Sequence, residues 1–164
     1  MANRMNGKIA LVTGAGSGMG KAIALAFLQE GAKVAAQDIV SGRLEELKEE
    51  AAELGFRDEL VTIVGNVCSN EDCEAAVRLC VETFGGMNVL SHNAGVSDKM
   101  HLVTGVPDEE WDRVIAINLT GSMRVTRAAL RYFMEQAEAN GGEYEASIVM
   151  ITSKIGRASC RERV

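Results

Sequence analysis

The run Thr13-Gly14-Ala15-Gly16-Ser17-Gly18-Met19-Gly20 places four glycines in eight residues, between an aliphatic stretch and a stretch of helical period. Glycine lets main-chain N–H groups approach an anion closely, and a helix starting there adds partial positive charge. Such a loop can cradle a diphosphate. The spacing G-x-G-x-x-G is not met, because position 19 is methionine; G-x-x-x-G-x-G through Gly14, Gly18 and Gly20 fits, with Ser17 and Met19 between them. No Lys-Ser or Lys-Thr follows the last glycine, which argues against P-loop hydrolysis of a nucleoside triphosphate. Asp38 stands about 20 residues beyond the glycines, where a carboxylate accepts both hydroxyls of an adenosine ribose. Its neighbours are Gln37 and Ile39, and Ser17 is neutral, so a 2′-phosphate would meet negative charge and no cation. NAD is therefore expected in preference to NADP.

Other reactive side chains read as structural. His92 and His101 are the only histidines, and His92 ends an aliphatic run, where a neutral packed imidazole is expected. Cys68, Cys73 and Cys80 lack zinc-ligand spacing, and the last two fall on one helical face as buried thiols. No metal site is expected. Trp111 reads as packing, and Glu45-Glu46 with Glu49-Glu50 as a solvated face.

The elements that must position these residues alternate. Apolar runs at 9–13, 33–38, 60–67, 88–92 and 147–152 read as buried parallel strands. Between them, 19–30 and 41–54 carry helical periodicity and end at Gly31 and Gly55, and 70–84 opens at Asn70 as its cap. Pro107 opens a long helix from 108 to 139, in two segments meeting near Asn118. Strand–helix alternation predicts an α/β fold with a doubly wound parallel sheet, ligands binding beyond the carboxyl ends of its strands.

Length and composition set the bounds. The 164 residues suit one domain, and the net charge of -6 argues against a nucleic-acid binder. No apolar run is long enough to span a membrane, and the N-terminal residues lack a signal-peptide core. Four cysteines without C-x-x-C pairs fit reduced thiols and a cytoplasmic protein.

With Asn93-Ala94-Gly95 after the fourth strand, the glycine run resembles the short-chain dehydrogenase/reductase family. Asn66-Val67 falls where the family has Asp-Val beside the adenine. Asn118, in Ile117-Asn118-Leu119-Thr120-Gly121, resembles the asparagine of its catalytic tetrad, and Ser153 resembles its catalytic serine. The likeness runs from about Lys8 to Ser153. It implies a Rossmann-type domain over 1–153, holding the first five strands of an expected seven, and hydride transfer between nicotinamide and a secondary alcohol or ketone. It further implies a cofactor site at Gly14, Ser17, Gly18, Met19, Gly20, Asp38, Asn66, Val67, Asn93, Ala94 and Gly95. The serine hydroxyl would hold the substrate oxygen, and the asparagine carbonyl a proton-relay water. A homo-oligomer, dimer or tetramer, is implied as well.

The family's Tyr-x-x-x-Lys, whose lysine lowers a tyrosine pKa from about 10, belongs beyond Ser153 and is not found. Neither Tyr132 nor Tyr144 has a lysine three or four residues on. The last residues, Ile155 to Val164, resemble a translated short-read sequencing adapter, and an AAG codon for Lys154 supplies its first two bases. Residues 154–164 are thus expected to be a non-native tail, and the 164-residue chain to be inactive. Three other readings compete: a 3-oxoacyl-thioester reductase of the same family, a non-catalytic NAD-binding module, and a methyltransferase. Asn93-Ala94-Gly95 with Asn118 and Ser153 speaks against the last.

Overall fold

The computed structural model describes residues 3–99 and 101–152. Its strands are β1 (Ile9–Thr13), β2 (Lys33–Asp38), β3 (Leu60–Val64), β4 (Val89–His92) and β5 (Ser147–Met150). Its helices are α1 (Gly18–Gln29), α2 (Ser41–Glu53), α3 (Asn70–Phe84), α4 (Asp108–Ile115) and α5 (Ser122–Ala139). The sheet is parallel in the order β3-β2-β1-β4-β5. That order reverses between β1 and β4, the switch point of a Rossmann-type sheet.

Alternation along each strand divides the core in two. Ala10 and Val12 of β1, Val34 and Ala36 of β2 and Val89 of β4 pack with Ala24 and Leu28 of α1 and Leu44 and Leu47 of α2. Leu11, Ala35 and Leu90 point to the opposite face, against Cys73, Ala76, Val77 and Cys80 of α3 and Val125, Ala129 and Phe133 of α5. Both faces of β1, β2 and β4 being covered, those strands read as nearly continuous apolar runs.

Several boundaries shift by a residue, and three differences from the sequence reading have a local reason. The third strand stops at Val64, not Val67, because its neighbour β2 ends at Asp38, the residue paired with Val64. Asn66 and Val67 therefore lie in the following loop. The cap of α3 is Ser69 rather than Asn70; its Oγ accepts from the Asp72 N–H at 3.1 Å. The fifth strand ends at Met150, which pairs with His92, the last residue of β4.

The long helix divides as expected. Residues Ala116–Gly121, including Asn118, are π-helical between α4 and α5.

Candidate functional site

The loops after β1, β2, β3 and β4 converge beyond the carboxyl edge of the sheet on a cleft of about 310 Å³. Gly14, Ser17, Met19, Gly20, Asp38, Asn66, Val67, Asn93, Ala94 and Gly95 line it, ten of the sequence-derived candidates together. Gly18 and Asn118 stand just outside this lining, and Ser153 lies outside the described residues.

Gly14 turns the chain at φ 62°, and a Cβ there would lie 2.8 Å from the Ala94 main chain, so only glycine lets the first and fourth loops meet. Gly18 then opens α1 at φ 53°. The first turn of α1 carries no acidic residue, and Ser17 makes no side-chain cap bond, an end suited to an anion.

Asp38 is 7% exposed and its two oxygens are fixed separately. Oδ2 accepts the Gly16 N–H at 2.9 Å and Oδ1 the Val40 N–H at 3.0 Å. The carboxylate is thereby held in one orientation. Asn66 is held by its own turn, its N–H donating to Asp72 Oδ2 at 2.7 Å and its Oδ1 accepting from the Cys68 N–H at 2.9 Å. Asn93 donates its amide to the Ser91 carbonyl and hydroxyl, at 3.0 and 3.2 Å.

The cleft also takes Gln37, Ile39, Arg43, Gly65, Val96 and Ile117, which sequence reasoning did not assign to it. Arg43 corrects the expectation that no cation stands near Asp38. It comes from the first turn of α2, and a Cβ on Gly16 would fall 2.7 Å from Arg43 Cβ and 2.8 Å from Asp38 Cγ. Its place in that turn, five residues past Asp38, was the available signal. The side-chain oxygens of Gln37 and Asn93, Oε1 and Oδ1, are buried in the cleft wall without a protein partner.

Asn118 backs the cleft. Its Oδ1 accepts from the Val96 N–H and its Nδ2 donates to the Val96 carbonyl, both at 2.8 Å, pinning the loop after β4 to the π-helical segment. Arg113 steadies the same loop, donating to the Ser97 carbonyl at 3.0 Å while paired with Glu110 at 2.8 Å. That hydrogen bond holds the Glu110 carboxyl below the usual carboxylate range. The Asn118 carbonyl accepts from Ser122 Oγ at 2.6 Å.

His92 is buried, as expected, with Nδ1 2.7 Å from Thr13 Oγ1 and Nε2 2.8 Å from Ser122 Oγ. Cys73 and Cys80 are buried too, and burial pushes their thiols up to about 11 and about 12; Cys68 is only half-buried. Trp111 departs from the packing expected of it, at 61% exposed. Among the described residues, no group of three or more His, Cys, Asp or Glu could hold a metal ion.

A doubly wound sheet with a glycine loop, an oriented strand-end carboxylate and a cleft at the switch point defines a dinucleotide-binding domain. The model of the family described as short chain dehydrogenase matches residues 8–163. The chain belongs to that family. It is 37% identical over 154 residues to 3beta-hydroxysteroid dehydrogenase 2 of Eggerthella lenta, covering 94% of this chain and 58% of that protein. It is 39% identical over 153 residues to a 3-oxoacyl-[acyl-carrier-protein] reductase of Thermotoga maritima, covering 93% and 58%. The crystal structure of 3-ketoacyl-(acyl-carrier-protein) reductase from Brucella melitensis complexed with NADH matches with a TM-score of 0.81 at 34% identity, over 93% of this chain and 60% of that one. The chain thus spans somewhat under two thirds of the proteins it resembles.

Proposed function

We propose that residues 1–153 form the cofactor-binding part of an NAD-dependent oxidoreductase that interconverts a secondary alcohol and a ketone by hydride transfer. The observation that carries the reading is Asp38, buried at the end of β2 with each oxygen held by a main-chain N–H, beside the glycine loop. In this reading the carboxylate receives the ribose hydroxyls and excludes a 2′-phosphate, and the start of α1 receives the diphosphate. Arg43, the cation of the cleft lining, comes from the first turn of α2 close to Gly16 and Asp38. The cofactor supplies the hydride acceptor or donor when bound. Asn118 offers its carbonyl to a relay water, and Ser153 its hydroxyl to the substrate oxygen.

A 3-oxoacyl-thioester reductase is the second reading, favoured by the Thermotoga relative and by the NADH in the Brucella structure. A non-catalytic NAD-binding module is the alternative outside catalysis. The cytoplasm and a homo-oligomer complete the proposal. No helix among the described residues is long and apolar enough to cross a membrane. Trp111 on α4 and Met123, Leu130 and Met134 on α5 are exposed apolar side chains suited to a subunit contact.

The test is a fluorescence titration with NADH and with NADPH. A Kd for NADH at least about tenfold lower, equivalent to about 1.4 kcal/mol, is expected. Equal affinities remove the NAD preference, and no binding of either removes the dinucleotide reading.

We also propose that residues 154–164 are translated sequencing adapter rather than gene-encoded protein. Sequencing the source locus from codon 140 onward, on template never ligated to adapters, should show the frame leaving Ile155–Val164 and reaching a Tyr-x-x-x-Lys. A locus that encodes Ile155–Val164 and then stops would favour the silent NAD-binding module.

A further inference from the structure

Four side-chain and main-chain groups run in series behind the cleft. Thr13 Oγ1 lies 2.7 Å from His92 Nδ1, His92 Nε2 lies 2.8 Å from Ser122 Oγ, and Ser122 Oγ lies 2.6 Å from the Asn118 carbonyl. The direction of each hydrogen follows from counting. A carbonyl only accepts, so the single hydroxyl hydrogen of Ser122 points at Asn118. Ser122 Oγ must then accept from the ring, which puts a hydrogen on Nε2. At the other end Thr13 Oγ1 accepts the N–H groups of Asn93 and Ala94, at 3.2 and 3.3 Å, which occupies both its lone pairs. Its own hydrogen therefore goes to Nδ1, which must be bare. Both ends demand the same neutral tautomer.

We propose that His92 is a positioning residue, held in the Nε2–H tautomer, that carries a one-way hydrogen-bond chain from Thr13 beneath the glycine loop to the Asn118 carbonyl. The inference rests on the oxidoreductase reading for the use made of that carbonyl, though not for the chain itself. Ser122 occupies one lone pair of the carbonyl and polarises it through His92, so the other lone pair has a fixed direction for the relay water. Because Thr13 Oγ1 also receives the Asn93 and Ala94 N–H groups, the same unit sets the main chain that lines the cleft. An imidazolium would break the chain, since a hydrogen on Nδ1 would face a hydroxyl with no lone pair left. Burial acts in the same sense, holding the His92 pKa below its ordinary value.

The test uses the 164-residue chain, labelled with 15N in histidine and with 13C in the main chain, with His92→Asn assigning the ring signals. Ring nitrogen shifts should show Nε2 protonated and Nδ1 bare at neutral pH, and Ser122→Ala should keep that tautomer because Thr13 still dictates it. The Asn118 carbonyl carbon should move upfield in Ser122→Ala, and in the same direction in His92→Asn, while carbonyl shifts along α3 stay put. That last comparison separates a directed chain from general loosening. An Nδ1–H ring, a rapidly averaged ring, or an Asn118 signal indifferent to His92 overturns the proposal. Failure to bind NADH with the ring signals as expected would instead remove the oxidoreductase reading and leave the chain standing.

Discussion

Asp38 holds two main-chain N–H groups, and on the proposed function it also receives the ribose, so substitution should reveal both. In Asp38→Asn the charge is gone and at least one of the Gly16 and Val40 N–H bonds weakens. Hydrogen bonds to a charged acceptor contribute about 1.5–3 kcal/mol, so a stability loss of that order is expected by urea denaturation. The NADH-to-NADPH affinity ratio should fall about tenfold or more, since Arg43 remains as the cation of the cleft. An unchanged ratio would show that Asp38 does not select the cofactor. His92 governs a separate pH window. Its folded pKa lies below the ordinary 6.5, so below that pH the unfolded chain takes up a proton that the folded chain does not. Stability is therefore complete above pH 6.5 and declines as the pH falls towards the folded value, by at most about 1.4 kcal/mol per pH unit. Urea midpoints at successive pH values should show this slope, and His92→Asn should flatten it. Glu30, Glu110 and Glu145, held below 4.5 by hydrogen bonds from Arg4, Arg113 and Lys8, act in a lower window. Their stabilisation is present above pH 4.5 and is lost as the pH falls through their lowered values.

At the scale of elements, the start of α3 shows how a helix end is tied to the cleft. Ser69 Oγ accepts the Asp72 N–H, and Asp72 Oδ2 in turn accepts the N–H of Asn66 in the cleft wall. Ser69→Ala should cost about 0.5–2 kcal/mol, the usual worth of an N-cap hydroxyl, and should loosen the 65–67 turn. Hydrogen exchange at Asn66 and Asp72 would report it; unchanged protection at both would show that the cap acts on the helix alone. The π-helical segment is the other junction. It interrupts an otherwise continuous helix at Asn118, whose side chain is engaged by Val96 while its carbonyl faces Ser122. Freeing a carbonyl from the main-chain ladder in mid-helix needs such an interruption, because a regular helix would commit it to the N–H four positions on.

For the whole molecule, the sheet among the described residues ends on β5, which pairs on one side with β4 and leaves Val149, Met150 and Ile151 at 49%, 42% and 39% exposed. An apolar sheet edge invites pairing with other chains. Light scattering behind size exclusion should find the 164-residue chain self-associating as its concentration rises; a monodisperse monomer at all concentrations would refute this. No turnover is expected from the chain as written, whose tyrosines lack the lysine of a Tyr-x-x-x-Lys pair. Measurable alcohol or ketone turnover by the purified 164-residue product would refute that claim.

Much of the fold was legible in the sequence, because a buried parallel strand and an amphipathic helix differ in period and length, and glycines mark where each helix stops. The glycine loop, Asp38, Asn93-Ala94-Gly95 and the interruption at Asn118 could be placed on a carboxyl edge from order and spacing alone. Strand ends could not, since a strand stops where its neighbour stops: Val64 ends β3 because Asp38 ends β2. Arg43 escaped a reading confined to the neighbours of Asp38, because α2 folds back over the glycine loop. The chain through His92 was equally hidden. Thr13, His92 and Ser122 come from two strands and a helix far apart in sequence, and which nitrogen of the imidazole carries the hydrogen is decided only where they meet. The sequence determined which groups were available and on which elements; packing decided which of them touch, and hydrogen-bond counting among the touching groups decided what each one donates.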